Sequence, residues 1–141
     1  MHRPDRTKGF SLVEILLVLA IIGILSGIAI PSYMGQRRRA RVIGDAISNA
    51  KVMSMMLEGQ KAENGIYGAA GTYTWAANGT YVGSSGFLPA FSPKGNTQMN
   101  YSLVIAASGL AYTLTVVDPS LSGSPTAYQT DQSGSQLQRL Q

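Results

Sequence analysis

The feature that most constrains this chain is an apolar run, residues 10–30, reading FSLVEILLVLAIIGILSGIAI. Only Ser11, Glu14 and Ser26 interrupt it with polar side chains, and Pro31 follows. At about 1.5 Å of rise per residue, some 20 helical residues cover a hydrocarbon layer about 30 Å thick. The run is apolar on every side of a helix, whereas a surface helix of a globular domain shows one apolar stripe. Whatever this chain folds into must therefore bury a wholly apolar rod in lipid or in other protein.

Four zones follow along the 141 residues. Residues 1–9 are short, polar and basic. Residues 10–30 are the transmembrane candidate, which Pro31 is expected to end, because proline lacks an N–H and crowds the preceding turn. Residues 31–62 read as a second, amphipathic helical stretch. Val42, Ile43, Ala46, Ile47, Ala50, Met53 and Leu57 recur at three- and four-residue steps and form its apolar stripe. Arg41, Asp45, Asn49 and Lys51 are read as lying off that stripe. The stripe is expected to bury against a sheet of the same chain or against a neighbouring copy.

Residues 63–141 are rich in Gly, Ser and Thr and read as a globular head. Its strongest signal is a hairpin. Met99, Tyr101, Leu103 and Ile105 alternate with Asn100, Ser102, Val104 and Ala106, Ala107-Ser108-Gly109 supplies the turn, and Leu110, Tyr112, Leu114 and Val116 alternate on the return. Thr126–Thr130 and Gln136–Leu140 are further strand candidates. Residues 63–98, punctuated by seven glycines, read as a long loop with at most a short strand. The fold class is thus α+β: a long N-terminal helix, membrane half plus amphipathic half, on a small C-terminal antiparallel sheet.

Composition removes several functions. Cysteine is absent and the single histidine is His2, which excludes disulfides, thiolate metal sites and Cys- or His-based catalytic triads. No catalytic residue, metal site or cofactor is assigned. A membrane-anchored enzyme is the weakest reading, since the body carries no His, Cys or carboxylate cluster. Residues 1–41 hold seven of the eleven bases and two of the seven acids. The pI of 9.6 therefore describes the N-terminal end, and the remainder is slightly acidic.

The junction Lys8-Gly9-Phe10-Ser11-Leu12-Val13-Glu14, continued by apolar residues to Ile30 and by Pro31 and Tyr33, resembles the signal of the type IV pilin-like family. That family includes type IV pilins, competence pilins and type II secretion pseudopilins, and the resemblance covers about residues 1–33. It implies that residues 1–9 are a leader, that prepilin peptidase cuts between Gly9 and Phe10, and that the new Phe10 amine is methylated. It implies that Glu14 pairs with the Phe10 amine of a neighbouring copy and so sets register in a filament. It also implies that the Gly23–Pro31 segment melts on assembly. Gly23 and Gly27 form a G-x-x-x-G pair, which either serves close helix approach or is ordinary small-residue packing.

The implied partners are copies of the chain itself in a helical homopolymer, the peptidase, the inner-membrane assembly machinery, and the membrane before assembly. The implied course is a single-pass inner-membrane protein that becomes part of an extracellular surface filament. Adhesion, motility, secretion and DNA uptake all stay open, as does the rank of major pilin, minor pilin or pseudopilin. The basic patch Arg37, Arg38, Arg39 and Arg41 reads as a solvated run, as headgroup contacts, as a stripe facing acids of neighbours, or as phosphate contacts to nucleic acid, the last without other support. Its four charges on the outer flank run against the positive-inside rule, so orientation rests on the resemblance.

A second reading is a soluble secreted binding protein cleaved after Ala29, at the small-x-small site Gly27-Ile28-Ala29. Glu14 inside the apolar segment that would serve as the signal's h-region speaks against it. In the head, Tyr73 and Trp75 are read as core or loop packing, with a carbohydrate platform as the alternative. Asp131 to Gly134 is read as a turn in preference to a calcium loop.

Overall fold

A computed structural model describes residues 9–77, 79–82, 86–95, 98–121 and 123–140. The leader therefore lies outside the described residues except for Gly9. The chain divides into two units, residues 1–37 and 38–141. One helix, α1, runs Leu12–Asn64 and contributes to both.

Pro31 lies inside α1 and does not end it. Proline costs one backbone bond and pushes on the carbonyl four residues earlier. Here that residue is Gly27, which has no side chain to add to the crowding. Leu25, Ile28, Ala29 and Ile30 before it, and the good helix formers Met34, Gln36 and Arg37 after it, carry the helix through. In the first unit the helical side chains are almost all exposed, including Leu12, Val13, Leu16, Ile24 and Ile28. Among the described residues α1 is the one helix long and apolar enough to cross a membrane, and its most apolar window is wholly unburied.

The second unit packs the later part of α1 on a six-stranded sheet. The strands are β1 Gly71–Trp75, β2 Tyr81–Val82, β3 Asn100–Ile105, β4 Tyr112–Val117, β5 Thr126–Asp131 and β6 Gln136–Arg139. Their order is β2-β1-β3-β4-β5-β6, with every neighbouring pair antiparallel. The expected hairpin is present as β3–β4, with Leu103 opposite Leu114 and Ile105 opposite Tyr112. Gly109 closes its turn at φ 69°, a backbone region that favours glycine, and its N–H donates to Ala106 O at 2.9 Å.

The core joins Val42, Ala46, Ala50, Met53 and Leu57 of α1 to Trp75, Tyr101, Leu103, Leu114 and Val116 of the sheet. The stripe thus buries against the chain's own sheet. Ile43 and Ile47 flank it, half-buried. Residues 63–98 hold two strands, β1 and β2, where a long loop with at most one short strand was expected. In β1, Tyr73 and Trp75 alternate with Thr72 and Thr74, a strand pattern that the surrounding glycines obscure.

Candidate functional site: the N-terminal junction and the helix it opens

Gly9 and Phe10 precede the helix and are exposed, Phe10 at 81%. A Cβ built on Gly9 meets nothing within 4 Å. The junction between them is open backbone outside any regular element. Ser11 follows, and its carbonyl accepts the Ile15 N–H at 3.3 Å. Leu12 opens α1 and Glu14 lies in the first turn.

Ser11-Leu12-Val13-Glu14 has the S-x-x-E spacing of a capping box, in which the acid sits three residues beyond the N-cap. The macrodipole also favours a carboxylate there by roughly 0.3–1 kcal/mol. This local role for Glu14 did not enter the sequence reading, although the spacing was legible. It is compatible with a role between copies, because a carboxylate has two oxygens and about four acceptor positions.

Gly23 and Gly27 stand open on the exposed helix, with nothing within 4 Å of an added Cβ. Pro31 follows Gly27 at the spacing that frees the Gly27 carbonyl. The segment from Gly23 to Pro31 is helical throughout. It carries two residues that each weaken a helix by about 1 kcal/mol relative to Ala, besides the proline.

The four arginines lie on α1 at successive helical positions. At about 100° per residue, Arg37 and Arg41 share a direction while Arg38 and Arg39 turn progressively away from it. They are distributed around the helix and do not line one face. Within the second unit, Arg38 Nη2 donates to Ser120 Oγ at 2.9 Å. Ser120 Oγ and Ser120 N both donate to the buried Asp118 carboxylate. This relay fastens α1 to the loop after β4, so Arg38 has a structural task.

Inside the head, sequence reading missed Asn49. It is not off the stripe: it is 3% exposed and sits among Ala46, Ala50 and Met53. Position 49 is three residues from 46 and four from 53, hence on the same face. Its Nδ2 donates to Lys94 O at 2.8 Å and to Tyr101 Oη at 2.9 Å. Lys94 N donates back to Asn49 Oδ1 at 2.9 Å. A buried amide is tolerated because both its ends are satisfied. Its spacing was legible in the sequence, whereas the partner that satisfies it, on a loop 45 residues away, was not.

Trp75 is a core residue, packed edge-on against Tyr81 and Phe91. Tyr73 stacks on Phe87 at 4.1 Å. Tyr67 donates to Glu58 Oε1 at 2.7 Å, and burial with this bond pushes its hydroxyl up to about 12. Burial likewise pushes Tyr101 up to about 12, with the Asn49 bond working the other way. Asp131 Oδ1 accepts from Ser133 N and Ser133 Oγ, which holds its carboxyl below the usual range and makes the segment a turn. Among the described residues no three His, Cys, Asp or Glu side chains gather where a metal ion could be held.

Residues 4–30 match the family described as the prokaryotic N-terminal methylation motif. Over 100 residues the chain is 30% identical to the type IV major fimbrial protein FimA of Dichelobacter nodosus, covering 68% of this chain and 62% of that one. It is 33% identical over 67 residues to the type II secretion system core protein G of Escherichia coli (strain K12), covering 48% of this chain and 46% of the other. It is 42% identical over 55 residues to the type IV major pilin protein PilE1 of Neisseria gonorrhoeae, covering 39% and 28%. The chain thus spans less than two thirds of each of these relatives. No solved structure matches it.

Proposed function

We propose that this chain, which is type IV pilin-like by its N-terminal motif and by its relatives, is a structural, non-enzymatic subunit of an extracellular filament. It inserts in the cytoplasmic membrane through residues 10–30, is cut between Gly9 and Phe10 by a prepilin peptidase, is methylated on the new Phe10 amine, and is handed by inner-membrane assembly machinery to a helical polymer. The observation that carries this is the combination at the N-terminus: an open Gly–Phe junction, one carboxylate in the first helical turn, and an unburied apolar rod behind it.

Energetics support insertion. Fourteen Leu, Ile, Val and Phe residues lie in 10–30. At about 0.3–0.6 kcal/mol each they favour the membrane by roughly 4–8 kcal/mol, against a cost of about 2.5–3.5 kcal/mol for one charge at the bilayer centre. Glu14 thus does not block insertion, yet it is the largest single penalty in the segment. Pairing with the freed Phe10 amine of an adjoining subunit relieves it and fixes axial register. The glycines and Pro31 give the Gly23–Pro31 segment the weakest helical backbone, which is where α1 melts during packing.

A secretion pseudopilin is the second reading, favoured by the similarity to the secretion-system core protein. Cleavage after Ala29 to a soluble protein is the third, and it discards the rod that characterises the chain. Mass spectrometry of the mature N-terminus separates them. A methylated Phe10 in sheared surface fibres supports the filament. An Ile30 N-terminus in the culture medium overturns it. A Phe10 N-terminus confined to the envelope, with no surface fibres and a secretion defect on deletion, replaces the pilus by the pseudopilin.

A further inference from the structure

The sheet face turned away from α1 presents an uncharged rank of hydroxyl and amide side chains. Inter-strand registers align Val82, Thr74, Ser102, Thr115, Gln129 and Gln138 across all six strands. At about 4.8 Å per strand the rank is roughly 24 Å long. Gln129 Nε2 donates to Thr115 Oγ1 at 3.1 Å, so neighbours along it already brace one another. A parallel rank runs Thr72, Val104, Thr113, Asp131. Among the described strand residues of this face Asp131 is the one charge, and its carboxylate is engaged by Ser133. A shallow concavity of about 330 Å³ lies at the β1–β3 end of the face, bordered by Thr74, Val82, Asn100, Ser102 and Val117.

Threonine suits strands for its own sake. That preference does not account for the lack of Lys, Arg and Glu, the usual means of keeping an exposed sheet soluble and unpaired. Threonines are stiff at χ1, so their hydroxyls and methyls are held in place before any contact. Binding through them costs little side-chain entropy and desolvates no ion.

We infer that this face binds a neutral polysaccharide, whose own surface alternates hydroxyls with apolar C–H patches. The rank's hydroxyls and amides would exchange hydrogen bonds with the glycan, while the Thr methyls and Val82 cover its C–H patches. An acidic glycan or a phosphate polymer would find no cation here. The inference concerns the head and is independent of filament assembly.

The test uses the full chain in neutral detergent, sedimented with amorphous cellulose, chitin and polygalacturonate. Retention is expected on one or both neutral glycans and to survive about 1 M salt, where charge attractions fade within roughly 3 Å. Thr115→Lys is expected to cut retention about tenfold, or 1.4 kcal/mol. Thr115→Ser, and Ser48→Lys on the exposed side of α1, should leave it unchanged. Unchanged melting of Thr115→Lys shows that the variant is folded, and Ser102→Lys serves in its place if it is not. The inference is overturned by absent retention on both neutral glycans, by preference for polygalacturonate, by loss in salt, by full retention of the folded lysine variant, or by glycan-independent self-association that the same variant abolishes.

Discussion

Replacing Asn49 by Ala tests how the head is locked. The change removes three hydrogen bonds, two from Nδ2 and one to Oδ1. A hydrogen bond contributes about 0.5–1.5 kcal/mol net, and a buried group left unpaired costs more. The Tyr101 hydroxyl is buried and loses its donor, so that bond stands near the upper value. The Lys94 groups are partly exposed and water replaces some of the loss, so those two stand near the lower one. The sum is about 2.5 kcal/mol. Ala is a better helix former than Asn by up to about 0.7 kcal/mol, which leaves roughly 2 kcal/mol of destabilisation. For a unit of about 100 residues this lowers the melting temperature by about 8 °C.

The sole tryptophan reports it, because Trp75 packs on Phe91 in the segment that Lys94 continues. Thermal unfolding of the full chain in detergent, followed by Trp75 emission, gives the shift. Tyr101→Phe removes one of the three bonds and should cost about 1 kcal/mol. The double variant should lose less than the sum, by the energy of the shared bond. A melting temperature for Asn49→Ala within about 2 °C of the parent, or strict additivity with Tyr101→Phe, would refute the role given to this amide.

Other outcomes can be checked separately. Tyr67 and Tyr101 ionise near 12 when folded against 10.0 for a free tyrosine, and burial raises Tyr112 too. The folded state therefore holds protons that the unfolded chain releases; the stabilisation is complete below pH 10.0 and lost as pH rises toward about 12. Far-UV dichroism against pH should show alkaline unfolding in that window, shifted upward in Tyr101→Phe if that variant retains the parent's neutral-pH stability. Gly95→Ala drives a Cβ to 2.5 Å from Asp45 Oδ2 at φ +113° and should cost roughly 1–3 kcal/mol in a denaturant melt. Gly9→Leu should leave the leader attached, visible as a slower band on an immunoblot; normal processing contradicts the peptidase assignment. Glu14→Val should be inserted and cleaved yet be depleted several-fold from sheared fibres when co-expressed with the parent chain; equal incorporation removes the register role.

The long helix, the hairpin and the stripe were legible because each rests on periodicity within a short window. Residues 42–57 repeat at helical spacing and residues 99–117 alternate at strand spacing, and both patterns persist in the fold except at Leu110, which is exposed before β4 begins. Asn49 was misplaced because a polar side chain was read as pointing to solvent, whereas geometry puts it on the stripe and a distant loop satisfies it. The β1 and β2 strands were hidden by the glycines of this segment, one of which, Gly71, opens β1 itself. Pro31 was read as an end because its cost is local, while the helix on either side is held by many residues. The junction Gly9–Glu14 was legible as a motif, with Glu14 at the start of the helix, but its openness needed coordinates.

The two units meet different physical demands. In the second, no buried side-chain polar atom among the described residues lacks a partner, and its aromatic and aliphatic core is closed. In the first, the apolar side chains have no cover within the chain. On the proposed reading that surface is covered twice, first by lipid and then by copies of itself. Lipid tails are as apolar as Leu and Ile, so exchanging one cover for the other yields little hydrophobic free energy. Tight packing around Gly23 and Gly27 contributes, but it is available to a dimer in the membrane as much as to a filament. The polar mismatch is what distinguishes the two states. Residues 10–30 contain no base to pair with Glu14, and on the proposed reading it gains a cation when a processed neighbour brings its N-terminus alongside. On that reading, leader removal creates the group that favours leaving the bilayer. An unprocessed chain, with Phe10 in peptide linkage, has no such amine to offer.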